Sequence, residues 1–321
     1  MLDDKPALRD LRTRILELRA MPGFAMLDMD TLALLAESSR VRRLRRGDVL
    51  LRADRPVELV YLSIDGGIQV SHGQIKLDLD AFGGIGFLNL LAGQRGGVDA
   101  IAVVDCRVLE VPAATALRVM NESFAITRLT IRSLSRQLVD RRGALPADEG
   151  GPEMVALGSM RQEPMTLVER LIMLRRTPLG HFANMDATAE IARGMTEQRV
   201  PAGEKIWSIG EPSPFWIGIE YGRVRCEAPD SQVAWAGTRR VLGVLDSWGD
   251  LPRSYSAVAE TPLVIHRVKV ATMLAIAETH GAMGVKMSRF LARDLIDSED
   301  SKGQRSLRGG LRQTASPTSA R

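Results

Sequence analysis

The chain has 321 residues, 45% of them hydrophobic and 26% charged, which is apolar material enough for two ordinary cores and excludes a wholly disordered protein. Its 43 basic residues exceed the 39 acidic ones by four, a surplus too small to indicate a nucleic-acid partner. Two cysteines, Cys106 and Cys226, cannot build a disulfide framework or a four-ligand zinc site. With no apolar leader and no apolar run of about eighteen residues, the expectation is a cytoplasmic chain without a membrane span.

Taken in order, LRDLRTRILELRA predicts a first helix, and Asp28 is placed to cap a short second one, TLALLAES. The pattern then changes to short strands at Arg42–Leu44, Val49–Leu51, Leu59–Ile64 and Ile68–Val70, separated by turns at Arg46–Asp48, Asp54–Pro56 and Asp65–Gly67. More strands lead to CRVLEV, followed by a helical stretch over Ala113–Arg141. Arg40, Arg42, Arg43, Arg45 and Arg46 alternate with Val41 and Leu44, as on the solvent face of a hairpin or in an anion-binding patch. Residues Arg142–Met165 hold four glycines and three prolines with no periodicity and read as a linker.

Beyond the linker the order repeats. Met21–Val70 aligns without a gap on Thr177–Cys226, and the identical pairs include Pro22/Pro178, Asp30/Asp186, Gly47/Gly203, Pro56/Pro212 and Gly66/Gly222. The shared glycines and prolines fall at turns, so this is a duplication. TLVERLIMLRR is the second copy's first helix, Asn184 its second N-cap, and Lys269–Ser298 its closing helical stretch. Residues 299–321 carry Lys302, Arg305, Arg308, Arg312 and Arg321 and read as a disordered basic tail.

A short helix, a roll of about eight strands opened by R-x-x-R-G-D or P-A-G-E, and a helix pair together resemble the cyclic-nucleotide-binding domain. VPAGEKIWSIGEPSPFWIGIEYGRVRC is the clearer match and LRRGDVLLRADRPVELVYLSIDGGIQV the looser one. The resemblance implies a mixed β + α fold: two β-roll (double-stranded β-helix, or jelly-roll) domains in tandem, each flanked by helices. The expected division is 1–142, a linker at 143–165, 166–298, and a tail at 299–321.

In that family an F-G-E…P-R-A-A cassette holds the ligand, the glutamate binding the ribose hydroxyl and the arginine the cyclic phosphate. In the first copy Phe82-Gly83-Gly84 stands for F-G-E, which puts Gly84 at the carboxylate position, and only Arg95 lies beside the arginine column. That site is expected to be degenerate. In the second, Trp248-Gly249-Asp250 precedes Pro252-Arg253-Ser254, and the cassette's short helix is expected to be missing. Trp248, Gly249, Asp250, Arg253 and Ser254 are the candidate ligand residues, with a turn cap for Asp250 and a surface ion pair for Arg253 as the alternatives.

No helix-turn-helix follows either roll, so no DNA-binding domain is expected. The four histidines lie at no metal-ligand spacing and no catalytic constellation stands out, so neither a metal, a cofactor nor an enzyme is expected. Two functions stand open. One is a regulatory sensor of cAMP or cGMP that signals to a protein partner, or to a second copy, through helices 113–141 and 269–298. The other is a ligand-independent interaction or scaffold protein.

Overall fold

A computed structural model describes residues 6–21, 23–72, 75–79, 84–93, 97–143, 145–146, 160–177 and 179–313. The chain divides into two compact units, Met1–Thr127 with Ala292–Arg321, and Arg128–Leu291.

The first unit opens with α1 (Pro6–Ala20) and α2 (Met29–Ser38). Asp28 caps α2 as expected, its carboxylate accepting from the Thr31 N–H at 2.7 Å. Eight strands follow: β1 (Arg40–Leu44), β2 (Val49–Leu51), β3 (Leu59–Asp65), β4 (Ile68–His72), β5 (Ile75–Leu79), β6 (Gly84–Ile85), β7 (Asp99–Ala102) and β8 (Cys106–Pro112), with the short helix α3 (Phe87–Ala92) between β6 and β7. They form two antiparallel four-stranded sheets, ordered β1-β8-β3-β6 and β2-β7-β4-β5. That pairing of first with eighth and second with seventh strands is the jelly-roll order. Leu44, Leu50, Tyr61, Ile68, Ile85, Ala100 and Val108 fill the space between the sheets. The arginines of β1 lie at exposed positions as expected, and from there Arg40 and Arg42 reach the buried Glu110 at 2.5 and 3.0 Å.

The second unit repeats the plan. α6 (Leu167–Arg175) begins in a capping box of Thr166 and Glu169, α7 (Leu179–Phe182) is a single turn, and α8 (Met185–Gly194) is capped by Asn184. Its strands are β9 (Thr196–Val200), β10 (Lys205–Trp207), β11 (Phe215–Tyr221), β12 (Val224–Glu227), β13 (Val233–Ala236), β14 (Val241–Leu242), β15 (Ser256–Ala259) and β16 (Leu263–Lys269), with α9 (Val244–Gly249) after β14. The sheets run β9-β16-β11-β14 and β10-β15-β12-β13, the same order as in the first roll. In both rolls the third and fourth strands are joined through a left-handed glycine, Gly66 (φ 82°) and Gly222 (φ 91°), where a Cβ would lie within 2.4 Å of neighbouring atoms. The mixed, tandem jelly-roll fold implied by the resemblance is therefore present, element for element.

Three expectations change. The helical stretches are each two helices, α4 (Ala113–Glu122) with α5 (Phe124–Arg142), and α10 (Val270–Thr279) with α11 (Gly281–Gln313), broken at Ser123 and His280. The segment expected as a disordered tail continues α11 to Gln313, since extending a formed helix needs no new nucleus. The compact units also change inside α5 and α11 rather than at the linker. Ile131, Leu134 and Leu138 of α5 are buried in the second unit, and Ala292, Leu295 and Ile296 of α11 in the first. Linker residues 147–159 lie outside the described residues.

Candidate functional site

The cassette helix thought to be deleted from the second roll is present. Gly243 opens α9 in the left-handed conformation (φ 75°), and its N–H donates to the Tyr255 hydroxyl at 3.0 Å. The cassette is thus Leu242-Gly243-Val244 through Pro252-Arg253, and the residue at the position of the family's glutamate is Val244, not Asp250. Asp250 instead terminates α9 in the left-handed region (φ 51°), three-quarters exposed and 3.0 Å from Arg132. Trp248 is buried within α9, and Gly249 and Asp250 offer their carbonyls to Arg136 at 2.7 and 3.0 Å. Trp248, Gly249 and Asp250 therefore lie at the end of the helix away from Gly243.

Arg253 is the residue of chemical interest, and it makes no surface ion pair. It is 1% exposed, its guanidinium stacked 4.0 Å from the Trp207 ring centroid and 4.9 Å from that of Phe215. It donates to the Phe215 carbonyl, to the Gly243 carbonyl at 3.3 Å and to Ser247 Oγ at 3.5 Å. Among the described residues no carboxylate lies within ion-pair distance, and its Nε has no partner. Burial accordingly holds its pKa below the usual arginine range. Backbone bonds fix it in place: its N–H donates to Glu211 O and its carbonyl accepts from Gly210 N–H, both at 2.8 Å. A Cβ on Gly243 would stand 2.2 Å from Arg253 Nη1, so that glycine makes room for the guanidinium.

Ser254 turns away from the arginine and binds Asp246 through both its hydroxyl and its N–H. Asp246, buried on α9, was not singled out in the sequence. Burial raises its carboxyl pKa against the opposing pull of the Ser254 donors. Its role is to tie the Pro252–Ser254 turn to α9 and so to position Arg253.

The first roll contrasts with this. Gly86 (φ 87°) opens α3, so the glutamate position falls on Phe87 rather than Gly84, which lies exposed on β6. Around Gly86 stand Leu51 and Val57 side chains and the Leu59 backbone, where the second roll has Trp207 and Phe215. Phe82, Gly83 and Arg95 lie outside the described residues.

A separate polar cluster lies on the second roll's β9-β16-β11 sheet. His266 Nε2 is 2.8 Å from Glu220 Oε2, and one ligand atom each from Glu197, Glu220 and His266 fall within 4.8 Å of one another. Sequence spacing could not bring these three together, since each comes from a different strand.

No family model matches the chain, and no curated protein matches it. Solved structures similar to it include the regulatory domain of Toxoplasma gondii PKA with cAMP, at 12% identity over 91% of this chain and 97% of that one, TM-score 0.34. The regulatory subunit of a cAMP-independent protein kinase A from Trypanosoma cruzi bound to guanosine has 12% identity over 91% and 93%, TM-score 0.34. The N-terminal domain of a transcriptional regulator from Streptomyces coelicolor A3(2) has 22% identity over 40% and 95%, TM-score 0.37. The fold assignment rests on the strand order of the two rolls, not on these overall likenesses. Among the described residues no helix is long and apolar enough to cross a membrane.

Proposed function

We propose that this chain is a non-catalytic regulatory protein whose second roll responds to an anionic ligand of the cyclic-nucleotide class and signals to a separate protein partner. The observation that carries the reading is Arg253: a guanidinium 1% exposed, without an ion pair among the described residues and with Nε unpaired. A buried charge left in that state costs several kcal/mol, by the roughly 3–5 expected when an ion pair loses one partner, and an anion would relieve it. Val244 cannot read a ribose hydroxyl, so recognition rests on the anion. The first roll, with leucines in place of the aromatic pair, is the non-binding copy.

Calorimetric titration of the full chain with cAMP, cGMP and 2′-deoxy-cAMP tests this. Binding at one site is expected, micromolar or weaker, with the deoxy analogue equal to cAMP within about threefold, because no side-chain carboxylate reads the missing hydroxyl. Arg253→Lys should weaken it roughly 10- to 100-fold, the value of a charge-assisted pair. A second reading, a ligand-independent interaction protein, is favoured by the three oxygen acceptors that already hold Arg253. No binding at millimolar ligand, or binding indifferent to Arg253→Lys, would leave that reading standing instead.

A further inference from the structure

We propose that Glu197, Glu220 and His266 form a binding site for a divalent transition-metal ion, of which Zn²⁺ is the type, on the second roll. The three residues come from adjacent strands of one sheet: His266 on β16 lies directly opposite Glu197 on β9, and β11 lies on its other side. Between Ile219 and Tyr221 the β11–β16 register shifts, so Glu220 is the extra residue of a bulge. A bulge re-aims the side chain it carries, and here it turns Glu220 onto His266. The site is therefore constructed by backbone geometry rather than by exposed acids that happen to be near each other.

Burial and charge point to a cation. The His266 side chain is fully buried, while those of Glu220 and Glu197 are 9% and 11% exposed. Two carboxylates in so dry a place need compensation. The nearest guanidinium contacts are long: Arg161 Nε stands 3.9 Å from Glu220, and Arg199 Nη2 4.0 Å from Glu197. Arg161 is in any case committed to Glu169 at 3.0 Å. The imidazole's one polar contact among the described residues is the Nε2–Glu220 pair, since Nδ1 has no partner.

The duplication supplies a control. Strand register and the matching bulges place Val41, Ile64 and Leu109, all apolar, at the first-roll positions of Glu197, Glu220 and His266. The polar trio thus belongs to the second roll, at sheet positions the first roll fills with apolar side chains. A divalent ion bound by one imidazole nitrogen and two carboxylate oxygens would balance the two carboxylates, with three protein ligands and an open fourth position, a donor set suited to zinc. The Met165 N–H, which donates to Glu197 Oε2 at 3.0 Å, would orient that ligand.

The test uses the full chain stripped of metal with a chelator. Titration with Zn²⁺ should show one tight site and raise the unfolding temperature, and Mg²⁺ at the same concentration should do neither. Co²⁺ should give a visible absorption band typical of a four- or five-coordinate ion. His266→Gln should weaken zinc binding at least about 100-fold, more than the 10- to 100-fold typical of a supporting residue. Glu197→Gln, at a less buried position, should weaken it comparably and carries the test if His266→Gln does not fold by circular dichroism. Zinc binding unchanged in both variants, or none at millimolar Zn²⁺, would overturn the proposal.

Discussion

Arg253 and Gly243 form a matched pair, because the guanidinium occupies the space a side chain on residue 243 would fill. Gly243→Ala should destabilise the chain by about 1–3 kcal/mol, from the left-handed backbone and the displaced arginine together. It should also abolish any anion binding. A urea midpoint and a titration both unchanged from the parent would refute that coupling. The same residues explain what the sequence concealed. Trp248-Gly249-Asp250 has the chemical look of F-G-E, an aromatic, a glycine and an acid, and so drew the cassette six residues too late. The correct signal was a spacing. Counting ten residues back from Arg253 reaches Gly243, and ten back from Gly96 reaches Gly86, the two left-handed glycines that open α9 and α3. Arg253 itself was legible; its burial against Trp207 and Phe215 was not, since those residues are distant in the chain and meet it only in the folded roll.

The elements that local chemistry specifies were legible in the sequence. Asp28 and Asn184 cap the helices expected of them, and the first four strands fall within two residues of where alternation and turns put them. The break at Ser123 carries no proline or glycine signal and depends on tertiary packing, whereas Gly281 directly follows the break at His280. The box that opens α6 permits a pH test. Arg161 and the Thr166 donors lower the Glu169 pKa from an ordinary 4.5 to about 2. A carboxyl depressed in this way adds stability that is fully present above its unfolded value and fades as pH falls through the folded one. Glu169→Gln should therefore lower the unfolding temperature by a constant amount above about pH 5, with the gap closing between pH 4.5 and pH 2. A gap that persists undiminished at pH 2 would show that the pair with Arg161 is not its source. The short cassette helices share a feature at their other ends: Arg293 donates to the Ala92 carbonyl at 3.0 Å in the first unit, as Arg136 does to Gly249 in the second. Each supplies a cation where the last carbonyls of a helix lack partners.

For the whole molecule, the duplication was legible as a register of glycines and prolines, and the division into units was not. The units change within α5 and α11, and which core a helix enters is decided by contacts far apart in sequence. Cleavage between residues 147 and 159 should therefore leave two fragments that elute together on gel filtration. The first unit contains residues from both sides of that cut. Fragments that separate without denaturant would contradict this division. The same discontinuity sets an order of events on the ribosome. Domains ordinarily complete folding from the N-terminus as they emerge, at about 5–20 residues per second. Here Arg128–Leu291 is the continuous unit, whereas the unit that begins the chain is completed only by Ala292 and the residues after it. The roll made first thus finishes last. For the time taken to synthesise the second repeat, the first roll's surface for Leu295 and Ile296 stays uncovered, a window in which a nascent-chain chaperone has an apolar target to hold.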